Sequence, residues 1–280
     1  MKRLYTLFIL NLTLITSFVH ADEALIARGD YLVNSIVACG NCHTPPAGPM
    51  QGVEFAGTML LDEEPMTVFA SNISPDQQTG IGNWSDAELI RAIREGIRPD
   101  GSLIGPPMPF GLYRQVSDED MAAIVAYVRS VKPVSNAVPK SEYRIPLPPA
   151  WGPPAEPVAP VSTDDPVSYG EYLAGPLGHC IECHTPMVDG HFDFANQLGA
   201  GGFPFRGPWG ISVSRNITPH PDKGIGNWGD DEIKRAITQG IRKDGSKLLP
   251  PMGYHYYANI KDSDLDAIVS YLRSLTPLGD

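Results

Sequence analysis

The stretch Cys39-Gly40-Asn41-Cys42-His43 returns once in the chain, as Cys180-Ile181-Glu182-Cys183-His184. On a helical turn, two cysteines three residues apart face the same side, and a histidine four residues after the first cysteine shares that face. Each thiol can then form a thioether to one vinyl group of a single porphyrin, while the imidazole reaches the iron. The spacing is therefore that of a c-type haem attachment site, and the two copies use all 4 cysteines of the chain.

Each predicted haem iron needs a second axial ligand. Met108 and Met252 occupy equivalent places in the two copies, and prolines precede both. A methionine is more often core filler, but this recurrence and the stiff proline setting favour ligation, with His255 as the alternative near Met252. Thioether ligation raises the reduction potential, and a six-coordinate iron favours one-electron transfer. The predicted haem c residues are, for covalent attachment, Cys39, Cys42, Cys180 and Cys183 and, for the iron, His43, Met108, His184 and Met252.

The haem motifs belong to a longer internal repeat. Gly29-Asp30-Tyr31-Leu32 matches Gly170-Glu171-Tyr172-Leu173 at an offset of 141 residues, and Asn72-Ile73-Ser74-Pro75 matches Asn216-Ile217-Thr218-Pro219 at 144. Between the copies the repeat lapses and prolines crowd, which is typical of an extended linker. We therefore predict a first domain over 22–134, a Pro-rich linker over 135–165 and a second domain over 166–280.

Helical periodicity predicts three helices in each repeat. In the first repeat, one runs from about Ala24 to the haem motif, and one starts at Ser85, which forms a capping box with Glu88. Gly96 is expected to end this helix, and the third begins near Ser117. The predicted fold class is all-α, mainly helical and rich in loops. A small β-hairpin in each repeat, for example around Thr67 to Ala70, stays an open alternative.

The first 21 residues resemble a secretory signal, with basic Lys2 and Arg3, an apolar run, and a cleavage site ending at Ala21. A retained membrane anchor is the alternative. No later stretch is long and apolar enough to span a bilayer, so we expect a mature periplasmic protein without a transmembrane span. The net charge of −11 argues against a nucleic acid partner, because phosphate backbones repel an acidic chain.

Four further residues recur and have two possible roles. Trp84 and Trp228 either pack in the core or donate to a haem propionate, and Arg98 and Arg242 could pair with propionates. An iron-bound histidine is also expected to donate its second ring N–H to a backbone carbonyl. The sequence does not indicate which carbonyl this is.

Each half resembles a class I cytochrome c domain, with the haem motif on the first helix, a methionine loop and a closing helix with an aromatic residue. Gly29 with Tyr127, and Gly170 with Tyr271, are similar to the pair that lets first and last helices cross closely in that family. The recurring runs Asn-Ile-(Ser/Thr)-Pro and Gly-Ile-Gly-Asn-Trp resemble those of multihaem cytochrome c subunits of membrane-bound alcohol and gluconate dehydrogenases.

This resemblance covers residues 24–275 apart from the linker. It implies tandem class I domains and electron relay from a periplasmic dehydrogenase toward quinone or a terminal oxidase. Those subunits usually carry three haem domains and a C-terminal membrane anchor, whereas this chain has two haem motifs. The predicted function is a periplasmic dihaem cytochrome that carries single electrons between a dehydrogenase and a respiratory acceptor.

Three alternatives are weighed against this function. The first is a dihaem redox enzyme (peroxidase-like) or a catalytic-complex subunit. A dihaem peroxidase needs one haem with an open or displaceable site, which a methionine candidate in both repeats disfavours. Dihaem thiosulfate dehydrogenases use a cysteine as a distal ligand, and here every cysteine already lies in a haem motif. Zinc binding or dithiol chemistry is the third, but structural zinc sites place their cysteine pairs roughly 15–20 residues apart.

Overall fold

The computed structural model describes residues 22–207 and 209–279, so the predicted signal peptide lies outside the described residues. Helices and short strands alternate with long loops. In the first repeat the elements are α1 (22–33), α2 (Gly40–His43), β1 (Thr58–Glu63), β2 (Met66–Ala70), α3 (Asp86–Glu95), α4 (Phe110–Tyr113) and α5 (Asp118–Ser130).

The linker and the second repeat follow the same order with small additions. The elements are β3 (Glu142–Tyr143), α6 (Pro166–Tyr172), a π-helical turn (Leu173–Leu177), α7 (Cys180–Cys183), β4 (Met187–Val188), β5 (His191–Phe192), β6 (Pro204–Gly207), β7 (Gly210–Val213), α8 (Asp230–Gln239), α9 (Tyr254–Tyr257) and α10 (Asp262–Ser274). The chain is therefore rich in helices, with small sheets and much loop, as predicted. In the described part of the chain, every helix is too short or too polar to cross a membrane.

The caps of α3 confirm the sequence prediction. Ser85 accepts a hydrogen bond from the Glu88 amide, and the Glu88 carboxylate accepts from the Ser85 amide, which completes the capping box. Gly96 ends the helix in the left-handed region at φ 65°. Ser117 likewise caps α5 through the Asp120 amide. The predicted helix bounds are thus set by local side-chain chemistry.

The first helix does not run unbroken into the haem motif, contrary to the prediction. It ends after residue 33, and Ala38 then adopts a left-handed φ of 51° before α2 begins. In the second repeat, His179 has the equivalent conformation, with φ 39°, just before α7. A left-handed residue cannot continue an α-helix, so each haem motif forms a separate helical turn.

The open alternative of a hairpin near Thr67 is confirmed. β1 pairs with β2 in the first repeat, and β6 pairs with β7 at the equivalent place in the second. The Pro-rich segment adds β3, which pairs with the outer edge of β2. Tyr143 and Trp151 of this segment lie against the first repeat, since their side chains donate to Pro106 O and Ile104 O, both at 2.8 Å.

First and last helices of each repeat cross at a glycine. A Cβ at Gly29 would lie 1.9 Å from Ala123 O, and a Cβ at Gly170 would lie 1.9 Å from Ala267 O. The next contacts are Tyr127 and Tyr271, the aromatic partners that the resemblance indicates. This crossing seats the start of each repeat against its closing helix, and the haem motif follows directly from it.

Candidate haem-binding sites

The predicted attachment cysteines lie in the short helical turns α2 and α7, with Cys39 at the N-cap of α2. All four thiols are free and partly buried. Burial raises the pKa of Cys42 and of Cys180 to about 11. A reactive or metal-binding thiol normally has a lowered pKa, so this environment does not favour dithiol redox chemistry. It fits residues that face an apolar group.

The two motif histidines are held in one orientation. His43 Nδ1 lies 2.8 Å from Ser71 O, and His184 Nδ1 lies 2.6 Å from Arg215 O. With the N–H on Nδ1, the other ring nitrogen keeps its lone pair for a metal. Burial lowers the pKa of both imidazoles, which keeps them neutral as ligands must be. This is the backbone contact expected of an iron-bound histidine, and these residues fit a haem.

Asn72 and Asn216 hold the carbonyls that receive these histidines. Each follows the carbonyl residue directly and donates from its side chain to the irregular segment beyond the closing helix, Asn72 to Val134 O and Asn216 to Leu278 O, both at 2.7 Å. Each side-chain oxygen also accepts from the amide two residues on. The sequence marks these positions through the recurring Asn-Ile-(Ser/Thr)-Pro run, although it does not reveal their role.

Glycine lets this loop approach the histidine backbone. Gly57 N donates to His43 O at 2.8 Å, and Gly201 N donates to His184 O at 2.7 Å. Both glycines have positive φ, and a Cβ at either would lie about 2.5 Å from backbone atoms of the carbonyl loop. The main chain therefore clamps each histidine from two sides.

The candidate methionines lie in equivalent loops. Met108 and Met252 are partly buried, pack against the core cluster, and stand just before α4 and α9. The peptide bonds Pro106–Pro107 and Pro250–Pro251 are cis. His255 is exposed and its ring packs on Tyr256 at 4.5 Å between centroids. Iron ligation by the two methionines stays a prediction.

Two buried tyrosines lie beside the cysteine pairs, and the sequence does not single them out. Burial raises the pKa of Tyr113 and of Tyr257 well above the ordinary value, with the nearby thiols adding to the shift. Their positions recur at the repeat offset, the one signal that could have indicated them. Each tyrosine is thus a buried neighbour of the cysteine pair in its own repeat.

The two haem motifs lie close to one another. Asn41, inside the first motif, donates to Pro251 O at 3.1 Å, in the methionine loop of the second repeat. In the reverse direction, the Tyr113 ring meets the His179 ring edge-on at 6.1 Å, next to the second motif. Cys42 is also among the groups that raise the pKa of Cys183, after burial. Each repeat therefore forms part of the other repeat's site.

The recurring arginines have partners in the protein. Arg98 donates to Leu103 O and Ser102, and Arg242 donates to Ser246. These contacts hold the turn after α3 and after α8, which favours a structural role. Both tryptophans, Trp84 and Trp228, pack against the core cluster, and a propionate contact stays a prediction.

The zinc alternative requires several ligands in one place. Among residues 22–207 and 209–279, no group of three or more His, Cys, Asp or Glu side chains has the geometry to hold a metal ion.

Comparison with known proteins identifies both repeats. A model described as "Cytochrome C oxidase, cbb3-type, subunit III" matches residues 24–128, and a model described as "Cytochrome c" matches residues 172–276. The chain is 33% identical over 279 residues to the gluconate 2-dehydrogenase cytochrome c subunit of Pantoea cypripedii, covering 91% of this chain and 60% of that protein.

Two further relatives agree with this. The cytochrome c subunit of alcohol dehydrogenase (quinone) from Gluconobacter oxydans is 33% identical, covering 91% of this chain and 55% of that protein. A diheme cytochrome c-type protein of Cereibacter sphaeroides is 28% identical, covering 84% of this chain and 81% of that protein. The chain spans less than two thirds of the length of the two dehydrogenase subunits. The chain therefore belongs among the cytochromes c and is related to the cytochrome c subunits of dehydrogenases.

Proposed function

We propose that this chain is a periplasmic dihaem cytochrome that passes single electrons from a dehydrogenase to a respiratory acceptor. It is an electron-transfer protein rather than an enzyme, in line with the cytochrome c subunits to which it is related. When bound, each haem supplies a one-electron iron couple. The observation that carries the proposal is the pair of clamped, neutral histidines, each next to its own pair of free cysteines.

Each kind of residue in the proposed site has its own role. The cysteine pair would attach the porphyrin covalently, the histidine would offer its free ring nitrogen to the iron, and the loop methionine is proposed as the second protein ligand. Buried Tyr113 and Tyr257 lie beside the cysteines. With both ligands supplied by the protein, the site would favour electron transfer over binding of oxygen or peroxide. The proposed domain limits are 22–134 and 166–280, with the linker over 135–165.

The contacts between repeats support transfer within the chain. Asn41 reaches Pro251, and Tyr113 meets His179, so residues of both repeats line the space between the two motifs. An electron can then enter at one site and leave from the other without crossing bulk solvent. The order of the two sites depends on their potentials.

The proposed partners are proteins. A dehydrogenase would donate electrons, and another cytochrome, an oxidase or a quinone-linked protein would accept them. The named relatives are subunits of gluconate and alcohol dehydrogenases. The acidic chain, with net charge −11, would be attracted to a basic patch on such a partner, and this attraction should weaken as salt is added.

Redox titration of the purified, haem-loaded protein tests the proposal. We expect two covalent haems per chain, two one-electron waves and no peroxide turnover above that of free haem. Met108→Ala and Met252→Ala should each lower one potential and leave the other wave in place. Met59→Ala removes an exposed methionine without a counterpart and should change neither.

Each other outcome has a distinct meaning. One haem per chain would contradict the dihaem assignment. Unchanged potentials in both methionine variants would show that the ligand assignment is wrong, and rapid peroxide turnover would favour the enzyme alternative. Retention of residues 1–21 in mature protein from the periplasmic fraction would contradict a cleaved signal.

A further inference from the structure

In the first repeat, a segment of the linker covers the outer edge of the hairpin. β3 pairs with β2, placing Tyr143 opposite Met66. The contact extends to both sides, since Phe69 N donates to Ser141 Oγ and Arg144 N donates to Pro65 O, both at 2.9 Å. An extended stretch over Ser141–Arg144 thus acts as the third strand.

Three side chains of this segment anchor it. The Tyr143 ring lies over Gly105, where a Cβ would come within 2.4 Å of the ring. Arg144 donates to the carbonyls of Glu63 and Glu64 and lies 3.8 Å from the Asp62 carboxylate. Lys140 pairs with Asp100 at 2.6 Å. Each anchor meets a specific residue of the first repeat.

The second repeat has the same hairpin without this cover. β7 occupies the place of β2, and no strand among the described residues pairs with its outer edge. Apolar side chains are exposed around it: Ile211 55%, Val213 47%, Leu249 46% and Trp209 37%. An uncovered edge with apolar side chains is a site for strand addition.

Sequence differences between the two repeats indicate which kind of segment would fit the outer edge of β7. Leu249 is the counterpart of Gly105, over which the Tyr143 ring lies in the first repeat. Because the leucine side chain occupies that space, the segment that fits here carries a small aliphatic residue in place of tyrosine. Exposed Arg206 stands where the first repeat has Asp62, so the complementary charge opposite it is acidic.

One anchor is retained. Asp244 keeps the position and the serine contacts of Asp100, since its carboxylate accepts from Ser246 Oγ and Ser246 N just as Asp100 accepts from Ser102. A lysine at the start of the incoming segment would therefore find a carboxylate partner in Asp244. Charge complementarity thus assigns the incoming segment a lysine, a small aliphatic residue and then an acid.

We propose that the outer edge of β7 binds an extended segment of a partner protein, which adds an antiparallel third strand. The segment places an aliphatic residue against Leu249 and a carboxylate beside Arg206. The nature of the partner, a redox protein, rests on the proposed function. The binding itself depends only on residues of the second repeat.

Two synthetic peptides test the proposal on the haem-loaded protein. One carries linker residues 140–145 with Tyr143→Val and Arg144→Glu, and its control carries the unchanged linker sequence. We expect saturable binding of the first at least tenfold tighter than that of the control, with slower amide exchange over 210–213. Arg206→Glu should reduce the preference for the first peptide, because the acidic residue of that peptide then faces a like charge.

A backbone variant checks strand addition separately. Val213 is the counterpart of Phe69, whose backbone N–H donates to Ser141 Oγ in the first repeat. Val213→Pro therefore removes a backbone donor from the outer edge of β7 and leaves the pairing with β6 intact. Peptide binding should fall at least tenfold. Haem spectra and potentials measured on the same samples separate a failure of this site from a failure of the proposed electron-transfer function.

Several results would overturn the proposal. These are equal binding of both peptides, exchange protection outside residues 210–213, or a preference that Arg206→Glu does not change. Self-association that Val213→Pro abolishes would assign the edge to a second copy of the chain. Vesicle binding that depends on Ile211 and Trp209 would assign it to a lipid surface.

Discussion

Tyr31 in the first helix of the first repeat donates a 2.6 Å hydrogen bond to Asp264 in the closing helix of the second. Tyr172 repeats the contact in the opposite direction, donating to Asp120 at 2.8 Å. The amide of Lys261 donates to the hydroxyl of Tyr31, and that of Ser117 to Tyr172. The two repeats are therefore joined by a reciprocal pair of contacts.

These two contacts should differ in strength. Tyr31→Phe leaves Asp264 without its tyrosine donor and should cost about 1–3 kcal/mol of unfolding free energy, as for hydrogen bonds to charged groups. Tyr172→Phe should cost less, because Asp120 keeps Arg28 at 2.8 Å. Denaturant unfolding followed by haem absorbance measures both. Equal losses would show that Arg28 does not compensate.

The glycine crossings should tolerate no side chain. Gly29→Ala and Gly170→Ala each place a methyl group within 1.9 Å of a backbone oxygen, so the helices must separate. We expect each variant to lose about 3 kcal/mol or more. Gly111→Ala is the matched control, since a Cβ there meets nothing within 4 Å. Thermal unfolding of the three variants checks this, and a stable Gly29→Ala protein would refute the crossing.

The asparagines that hold the histidine carbonyls should affect both stability and potential. Asn72→Ala removes one of the donors to Val134 O and should cost about 0.5–1.5 kcal/mol, the range for a hydrogen bond between neutral groups. The loosened carbonyl should also shift the potential of the nearer haem. Asn216→Ala should act on the other haem. Asn83→Ala changes an exposed asparagine and serves as the control. A shift in haem potential equal to that of Asn72→Ala would contradict the role given to Asn72.

One ion pair should make stability depend on acid pH. Arg94 donates to Asp118 at 2.7 Å, and this hydrogen bond lowers the pKa of Asp118. The unfolded carboxyl has a pKa near 4, so the stabilisation is present above about pH 4 and is lost as the pH falls below it.

Asp118→Asn should therefore cost about 0.5–1 kcal/mol at pH 7, the range for an exposed carboxylate, and less at pH 3. In the second repeat Thr238 replaces the arginine, so Asp262→Asn removes the equivalent carboxylate without an arginine partner at that position and is the matched control. Unfolding free energies at the two pH values decide this. A constant cost of Asp118→Asn across this range would contradict the ion-pair explanation.

Local patterns predicted the parts of the fold that local chemistry determines. Ser85 with Glu88 marks the start of α3, and Gly96 marks its end, because caps involve neighbours in sequence. The haem motifs likewise place cysteines and histidine within five residues of one another. The carbonyl expected to receive each histidine was predicted by type, but its identity depends on how the loop folds back.

Contacts distant in sequence could not be predicted in this way. The pairing of β3 with β2 joins Glu142 to Thr67, and nothing in a Pro-rich stretch indicates a strand partner that far away. The breaks at Ala38 and His179 depend on left-handed conformations, which are uncommon for residues other than glycine. The reciprocal tyrosine contacts arise only once the two repeats pack together.

Ile36 lies under Gly178, so close that a Cβ there would come within 2.7 Å of the isoleucine side chain. Until the second repeat has folded against the first, this isoleucine lacks that cover. A chain in which only the first repeat has folded would expose this apolar side chain to other chains, which promotes aggregation. Folding of the second repeat, rather than of the first alone, therefore completes the burial of Ile36.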